Sequence, residues 1–373
     1  MLLQGKLAQQ LVPELSHIAE LKPATLLGKQ CNLLQISSTF TFWMMYHNAS
    51  HPLPPQANAY GLRLAGGSPL RRRRVRTLCR DLDMADLSAT LAPDSFYQTL
   101  MSEHAGMIGL GLWLEQLDRT IGQSQHTRWV GSASWKHAIK GRPVPCAFMR
   151  AFNLSRLSDE NVVYWGPAAG PVQDWTDFQQ VTARKQVNGH DLMRAMQDQF
   201  FHEVFGMPAG LGRFMRSQGN VAHPWSNYIW VSHKAMVNLA KFNVIQATWL
   251  DLRYPRAQTA ALSSFKECPN TYQHLRSQGV VSDGAQKEQC VYCRAPVWTN
   301  WHRCRMGCHR CWSYVMEQLN IFYYYFLLRP VYIHDDKKCA DPFYWQSFKP
   351  PLRNFNMEFI DVVYELMLQS AHQ

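Results

Sequence analysis

Short apolar runs without helical spacing predict four buried strands in this chain. They are "TFTFWMMYH" at residues 39–47, "RWVGS" at 128–132, "ENVVYWG" at 160–166 and "SNYIWVS" at 226–232. These runs are rich in β-branched and aromatic side chains, which favour extended backbone. Short continuous apolar runs bounded by turn residues are typical of strands that are buried on both faces. The prolines of residues 51–61 predict a loop after the first strand.

Longer segments have apolar positions at helical spacing. The clearest is residues 92–119, where Phe96, Leu100, Met107 and Leu114 recur on one face. Glycines inside this segment, among them Gly111, lower its helix propensity and indicate close packing of the backbone against a neighbour. Further helices are predicted over residues 1–36, 191–206, 233–242 and 311–329.

Strand and helix signals alternate from about residue 39 to residue 250, which predicts an α/β fold. We expect a layered domain with a mainly parallel sheet, in which the strands ending near His47, Gly131 and Trp230 are interior. Ligands of such sheets bind at the carboxyl ends of the strands. The predicted organisation is a helical segment at 1–36, an α/β domain at 37–282, a cysteine-rich insertion at 283–313 and a C-terminal helical segment at 314–373 that packs on the α/β domain.

The composition of the chain indicates which kinds of partner and which location to expect. The chain has 373 residues and a formal net charge of +11, so it favours acidic partners such as phosphorylated small molecules or nucleic acid. No segment reaches the roughly 18 apolar residues that span a bilayer, so no membrane span is predicted. The N-terminus lacks a basic leader followed by an apolar stretch. The expected location is cytoplasmic, or an endomembrane lumen if a targeting segment is missing from this sequence.

A cysteine-rich segment, "CVYCRAPVWTNWHRCRMGCHRC" at 290–311, predicts a small metal knot. Its two C-x-x-C pairs have the arrangement of structural zinc sites, because a tight turn lets two thiolates reach one tetrahedral metal. The predicted zinc ligands are Cys290, Cys293, Cys308 and Cys311. Cys304, His302 or His309 could replace one of them. Disulfides, which need an oxidising compartment, and free thiols are the alternatives. Four protein ligands leave no open position, so the predicted zinc is structural.

Two weaker motifs concern phosphate binding. Asp81 and Asp83 form a D-x-D pair whose carboxylates could hold Mg²⁺ or Mn²⁺ against a diphosphate; the alternative is a solvated turn. Four consecutive arginines at 71–74 could contact phosphates or form a solvated loop. The chain has no Walker loop, G-x-G-x-x-G, G-x-S-x-G or H-E-x-x-H motif.

The order of these segments resembles a family of glycosyltransferase-like proteins of the capsular-polysaccharide type, across roughly residues 39–335. In that family a strand ends in a Tyr-His pair, a helix with a "Y-x-E-L" element precedes a "yIGxxxYR" strand and turn, an "xNyfvm" strand precedes a helix, and an "ER-L" helix comes late. The matching segments here are "MMYH", 102–113, "GSASWK", "NYIW" and "EQL". Trp135-Lys136 stands where the family has Tyr-Arg, and Gln318 stands where it has Arg, which puts catalytic competence in doubt.

The resemblance implies a GT-A-like domain that binds a nucleotide-sugar and transfers the sugar to an unknown glycan or protein acceptor. It implies that a carboxylate takes the proton of the acceptor hydroxyl if the mechanism inverts. The candidates for that carboxylate are Glu103 and Asp174. Lys136, His137 and Arg128 are the candidates for neutralising the leaving diphosphate, with Asp81 and Asp83 as candidates for holding a metal there. The predicted substrate-binding residues are His47, Arg128, Trp135, Lys136, His137, Asn227 and Glu317.

A second interpretation is a non-catalytic, zinc-stabilised basic module that binds RNA or another protein. Its support is the arginine run at 71–74 and the interleaving of cations with Trp298, Trp301 and Trp312, because such surfaces bind phosphates and stack bases. Packing of these tryptophans around the metal knot is the simpler explanation, so nucleic acid is the second choice of partner.

Overall fold

A computed structural model describes part of the chain, which has a mixed α/β structure. The described residues are 40–46, 59–63, 81–83, 103–121, 129–134, 157–166, 190–208, 210–211, 214, 228–253, 311–334, 343–344 and 349–371. The strands are β1 Phe40–Tyr46, β2 Ala59–Arg63, β3 Asp81–Asp83, β4 Trp129–Ser134, β5 Asn161–Gly166, β6 Ile229–Ser232, β7 Arg329–His334 and β8 Phe343–Tyr344. The helices are α1 Glu103–Ile121, α2 His190–Phe205, α3 His233–Arg253, α4 Cys311–Leu327 and α5 Met357–Ala371.

The described strands form one sheet in the order β3-β2-β1-β4-β6-β5-β7-β8. Strands β1, β2, β3 and β4 pair in parallel, and so do β5 and β7. Strand β6 is antiparallel to both β4 and β5, and β8 is antiparallel to β7. Only β6 and β8 therefore run against the common direction, and the prediction of an α/β fold with a mainly parallel sheet is confirmed.

The four predicted strands correspond to β1, β4, β5 and β6. As expected, β1, β4 and β6 are adjacent interior strands of the same sheet. Strand β4 continues to Ser134, two residues past the predicted end at 132. The loop prediction for 51–61 is wrong at its end, because β2 begins at Ala59 and pairs with β1. The prolines that suggested the loop all precede β2.

Strands β1, β4, β5 and β6 are buried on both faces of the sheet. Successive side chains of a strand point to opposite faces. Trp43 and Val130 belong to the core that the helices share, whereas their neighbours Phe42 and Trp129 are also buried but lie outside that core. On this second face the rings of Phe42 and Trp230 lie 5.7 Å apart. Burial on both faces explains why these strands read as continuous apolar runs.

Helices α1 and α3 run antiparallel in close contact. At one end His233 Nε2 and Asp118 Oδ2 are 2.9 Å apart. Near the middle, a Cβ atom added to Gly111 would lie 2.7 Å from the Met236 carbonyl oxygen and closer still to the Ala240 side chain. The close packing predicted from the glycines of α1 is therefore confirmed at Gly111. The predicted helix at 92–119 is confirmed from Glu103 onward, and its earlier part lies outside the described residues.

Local signals set several helix ends. The Ser232 hydroxyl accepts a hydrogen bond from the Ala235 amide and caps α3. Gly206, with φ of +67°, ends α2 as its sequence predicted. The aromatic helix predicted at 311–329 ends at Leu327, because Pro330 disfavours helical backbone before it.

Helix α4 packs against α3 in the opposite direction. The Tyr323 hydroxyl donates to Asn238 Oδ1 near the start of α3, and Gln246 further along α3 donates to Asn320 Oδ1. An aromatic cluster joins α4 to α2, α3 and the segment before α5. Its members are Phe200, Phe201, Phe205, Phe242, Phe322, Phe326 and Phe355. Packing of these rings holds α2, α3, α4 and the segment before α5 together.

Candidate functional site

Three strand termini meet at one edge of the sheet. Strand β1 ends at Tyr46 and β4 ends at Ser134, which is in register with Met45 of β1. Strand β6 runs the other way, so it begins at this edge, with Ile229 opposite Ser132. We call this side, where the parallel strands end, the carboxyl edge. The opposite side, where Phe40 and Trp129 begin their strands, is the amino edge.

The predicted substrate-binding residues are next in sequence to these termini. His47 follows β1, Trp135, Lys136 and His137 follow β4, and Asn227 precedes Tyr228 and β6. These five residues lie outside the described residues, so their roles stay predictions. What the structure does show is that β1 and β4 end, and β6 begins, at the carboxyl edge.

The strand order also reverses between β1 and β4. Strands β2 and β3 extend the sheet from one side of β1, whereas β4, which follows them in sequence, lies on the other side. Such a topological switch point leaves a crevice at the carboxyl ends, and ligands of open α/β sheets bind there. His47 and Lys136 follow the two strands that flank this switch point.

Glu103, a predicted proton acceptor, lies in the first turn of α1 and is half-buried. The other end of α1 is at the amino edge, because Asp118 contacts His233, which follows Ser232 opposite Trp129. The helix rises about 1.5 Å per residue, so Glu103 lies about 22 Å along the axis from Asp118. Glu103 is therefore toward the carboxyl edge, as a site residue should be.

Glu317, a predicted substrate-binding residue, is half-buried in α4. The C-terminal end of α4 lies at the amino edge, because Arg329, two residues after the helix, is in register with Asn161, the first residue of β5. Glu317 is ten residues before Leu327, which places it about 15 Å further along the helix. Strand β5 is about 17 Å long, so Glu317 lies nearly level with the carboxyl edge.

Glu317 is the first of several polar side chains that extend into an otherwise apolar core. Asn320 and Tyr324 follow it on α4 at helical spacing, and Gln246 Nε2 donates to Asn320 Oδ1 over 2.9 Å. The rings of Tyr324 and Tyr164 meet edge to face with centroids 5.6 Å apart. We call these five residues the polar strip. All of its members except Glu317 are buried.

Burial and neighbouring charge act on the tyrosines of this strip. Burial raises the pKa of Tyr324 well above its ordinary value, and the nearby Glu317 carboxylate raises this pKa further. Burial also raises the pKa of Tyr164, with Tyr324 and Tyr325 as smaller causes. Both phenols therefore remain protonated at neutral pH. The sequence analysis singled out Glu317 but missed its companions, although Asn320 and Gln246 interrupt apolar helix faces and could have drawn notice.

The D-x-D pair lies in a strand rather than in a turn. Asp81 and Asp83 are in β3, at the end of the described sheet, where Asp83 is in register with Arg63 of β2. The alternative of a solvated turn is therefore wrong. Strand β3 is two strands from β1, or about 10 Å, so the pair does not border the switch point.

Most of the remaining predicted residues lie outside the part of the chain that the structure describes, so their roles stay predictions. Asp174, Cys290, Cys293 and Cys308 lie outside the described residues, and so do the arginines at 71–74. Arg128 also lies outside them, and it precedes Trp129, which is at the amino edge. Cys311 is the first residue of α4. Among the described residues, no group of three or more His, Cys, Asp or Glu side chains is arranged to hold a metal ion.

Comparison with known proteins finds no matching family model and no curated protein or solved structure with significant similarity. Within the described ranges, no helix combines the length and the apolar character needed to cross a membrane.

Proposed function

We propose that the protein is a GT-A-like glycosyltransferase that transfers a sugar from a nucleoside-diphosphate sugar to a hydroxyl of a glycan or protein acceptor. The observation that carries this proposal is the switch point between β1 and β4, with His47 and Lys136 next in sequence to the two strand ends. The order of the sheet supports it. Four parallel strands, β3-β2-β1-β4, are followed by the reversed strand β6, so the described sheet is mainly parallel, as the resemblance found in the sequence implies.

The chemistry is displacement of a nucleoside diphosphate from the anomeric carbon of the sugar. Negative charge grows on the leaving diphosphate, and fixed cations aimed at it stabilise the transition state. We assign this task to Lys136 and His137, because they follow β4 at the carboxyl edge. Asp81 and Asp83 are about 10 Å from β1 across the sheet, so the step is not assigned to a divalent cation held by them.

The cysteine segment is proposed to form a structural zinc knot beside the domain. Cys311 begins α4, so a metal bound there would tie the incoming chain to the helix that carries Glu317. Binding free energy at such sites contributes directly to folding. Metal analysis of the protein purified under reducing conditions should find about one zinc per chain, and the Cys290→Ser variant should hold less.

The test of the main proposal is calorimetric titration with a panel of uridine and guanosine diphosphate sugars. We expect the wild-type protein to bind at least one of them. Lys136→Ala should weaken binding by about 1.5–3 kcal/mol, the range for a hydrogen bond to a charged group, or roughly 10- to 150-fold.

Lys234→Ala is the matched control. Lys234 is an exposed lysine in the first turn of α3, at the amino edge of the sheet, so its loss should leave binding unchanged. A wild-type protein that binds none of the sugars would contradict the proposed function. Equal binding by Lys136→Ala and wild type would contradict the assigned position of the diphosphate.

A further inference from the structure

Transfer with inversion needs a base on the far side of the sugar from the leaving diphosphate. The acceptor oxygen attacks the anomeric carbon in line with the bond that breaks, so the group that takes its proton must lie opposite the diphosphate. The diphosphate is proposed to lie beside the ends of β1 and β4. A base on the helix that covers those two strands would therefore be on the same side of the sugar as the diphosphate, not opposite it. Helix α1 occupies that position, since it contacts both β1 and β4.

We propose that Glu317 is this base; the inference rests on the proposed function. Helix α4 lies over the other half of the sheet, because Tyr324 packs on Tyr164 of β5 and α4 contacts β7. Strand β5 is two strands from β4, separated from it by β6. Two strand spacings are about 10 Å, which is enough to hold a sugar ring between a diphosphate beside β4 and a carboxylate above β5.

The depth of Glu317 in the fold suits the same role. Its position about 15 Å up α4 brings it nearly level with the strand ends, and its half-buried side chain lies between the core and the surface. The residues below it on α4, Asn320 and Tyr324, are buried. A carboxylate at this position lies above buried neighbours and close to the carboxyl edge.

The polar strip beneath Glu317 is difficult to explain by stability alone. The hydroxyls of Tyr164 and Tyr324 are buried, and among the described residues neither has a hydrogen-bond partner. Gln246 Oε1 and Asn320 Nδ2 are also buried without a hydrogen-bond partner among the described residues. Buried polar groups of this kind cost stability, and departures from core rules are expected at functional sites. Four such groups belong to the strip whose outer end is the half-buried Glu317, and they therefore point to a site at that end.

The acceptor O–H bond breaks and its proton moves to a Glu317 carboxylate oxygen, while the acceptor oxygen forms a bond to the anomeric carbon. The bond from that carbon to the diphosphate oxygen breaks, and its electron pair leaves on the diphosphate. Protonated Glu317 then returns its proton to water. Water can replace the acceptor in the same step, which gives hydrolysis of the nucleotide-sugar.

Hydrolysis makes the inference testable without knowing the acceptor. Uridine diphosphate glucose and guanosine diphosphate mannose are incubated with the wild-type, Glu317→Gln and Glu317→Asp proteins, and the released nucleoside diphosphate is measured from about pH 3.5 to about pH 9, a range that includes the ordinary glutamate pKa of about 4.3. Binding of the same sugars is measured in parallel. Glu358→Gln, an exposed glutamate on α5, is the matched control.

We expect Glu317→Gln to slow hydrolysis about 100-fold or more, the usual contribution of general base catalysis, while its affinity for the sugar stays within twofold of wild type. Its residual rate should lose the fall at acidic pH that the wild-type rate shows. Glu317→Asp should recover part of the rate. Glu358→Gln should match wild type. A purely structural role for Glu317 would lower stability without changing the shape of the pH profile.

The outcomes separate the two proposals. No sugar binding by wild type overturns the proposed function. Sugar binding with full hydrolysis by Glu317→Gln, or sugar binding by wild type with no hydrolysis, overturns the role of Glu317 and leaves the nucleotide-sugar site standing. If Glu317→Gln does not fold, Glu317→Asp decides, since a carboxylate one methylene further from the substrate should slow hydrolysis at unchanged affinity. An unchanged rate in that variant also overturns the inference.

Discussion

At Gly111 the backbones of helices α1 and α3 lie close together. The absence of a side chain there lets the Met236 carbonyl oxygen approach to within 2.7 Å of where a Cβ atom would be. Both atoms that oppose Gly111 belong to the helix backbone or to the short Ala240 side chain, so neither can rotate away. An added methyl group must therefore push the helices apart.

Gly111→Ala should lower the free energy of unfolding by about 1–3 kcal/mol, the usual cost of overpacking a core. Alanine favours helix over glycine by about 1 kcal/mol, so a net loss would identify the contact as its cause. Urea unfolding followed by circular dichroism measures the change. Arg119→Ala, at an exposed position of the same helix, should change stability by less than about 0.5 kcal/mol. A Gly111→Ala protein as stable as wild type would show that α1 and α3 can separate without cost.

Lys241 joins three helices. Its Nζ lies 2.9 Å from Glu115 Oε1 on α1 and 3.0 Å from Asp361 Oδ1 on α5, and only 9% of its side chain is exposed. Asn238 adds hydrogen bonds to Asp361 and to the Met357 carbonyl at the start of α5. Burial lowers the pKa of Lys241, but the hydrogen bonds to the two carboxylates outweigh burial, and the pKa is raised overall. The charged ammonium therefore holds α5 on the rest of the domain.

Lys241→Met should lower the free energy of unfolding by about 2 kcal/mol, between the values for exposed and fully buried ion pairs. In Lys241→Met, hydrogen exchange should speed up more for the amides of α5 than for those of α3, relative to wild type. The reason is that α5 loses its attachment to the domain first. Hydrogen exchange measured by mass spectrometry distinguishes the two helices. Lys234→Met, at an exposed position of α3, is the control and should leave both helices unchanged. Equal protection of α5 in wild type and Lys241→Met would show that apolar contacts alone hold that helix.

Buried phenols set the response of the whole molecule to alkaline pH. Burial raises the pKa of Tyr164, Tyr323, Tyr324 and Tyr364 above the ordinary tyrosine value of about 10. Above that pH the unfolded chain loses these protons and the folded chain keeps them. The unfolded state then binds fewer protons, so the free energy of unfolding falls as pH rises. Lys241 acts in the same direction, since its raised pKa preserves its charge only in the folded state.

Stability should therefore be independent of these groups below about pH 9 and should fall steeply above about pH 10. Each phenol contributes up to about 1.4 kcal/mol per pH unit. The chain has fifteen tyrosines, so exposed phenols should ionise near pH 10 in the folded state. The part of the tyrosinate absorbance that comes from the four buried phenols should appear only together with the loss of helical circular dichroism, because these phenols ionise only when the core opens. Chain unfolded in urea should instead titrate gradually near pH 10. Tyrosinate signals from all four residues before any loss of helix would contradict the burial of these rings.

The sequence predicted some elements well and others poorly, for identifiable reasons. Strands β1, β4, β5 and β6 are buried on both faces, so their apolar runs are continuous and easily read. Strand β3 has only three residues, two of them acidic, and its extended backbone comes from pairing with β2. Strand β2 follows prolines, and its apolar content is too low to predict a strand. In both cases hydrogen bonds from a distant part of the chain decide the conformation.

The sequence by itself determined the alternation of strands and helices, the helix end at Gly206 and the need for a close neighbour at Gly111. These features depend on side-chain periodicity, backbone freedom and local sterics, which act within a few residues. Only the tertiary structure decided the order of the strands, and with it the switch point between β1 and β4. It also decided that Glu317 shares a polar strip with Gln246 and Tyr164. Those residues are far apart in sequence, and only the antiparallel packing of α3 and α4 over β5 brings their side chains together.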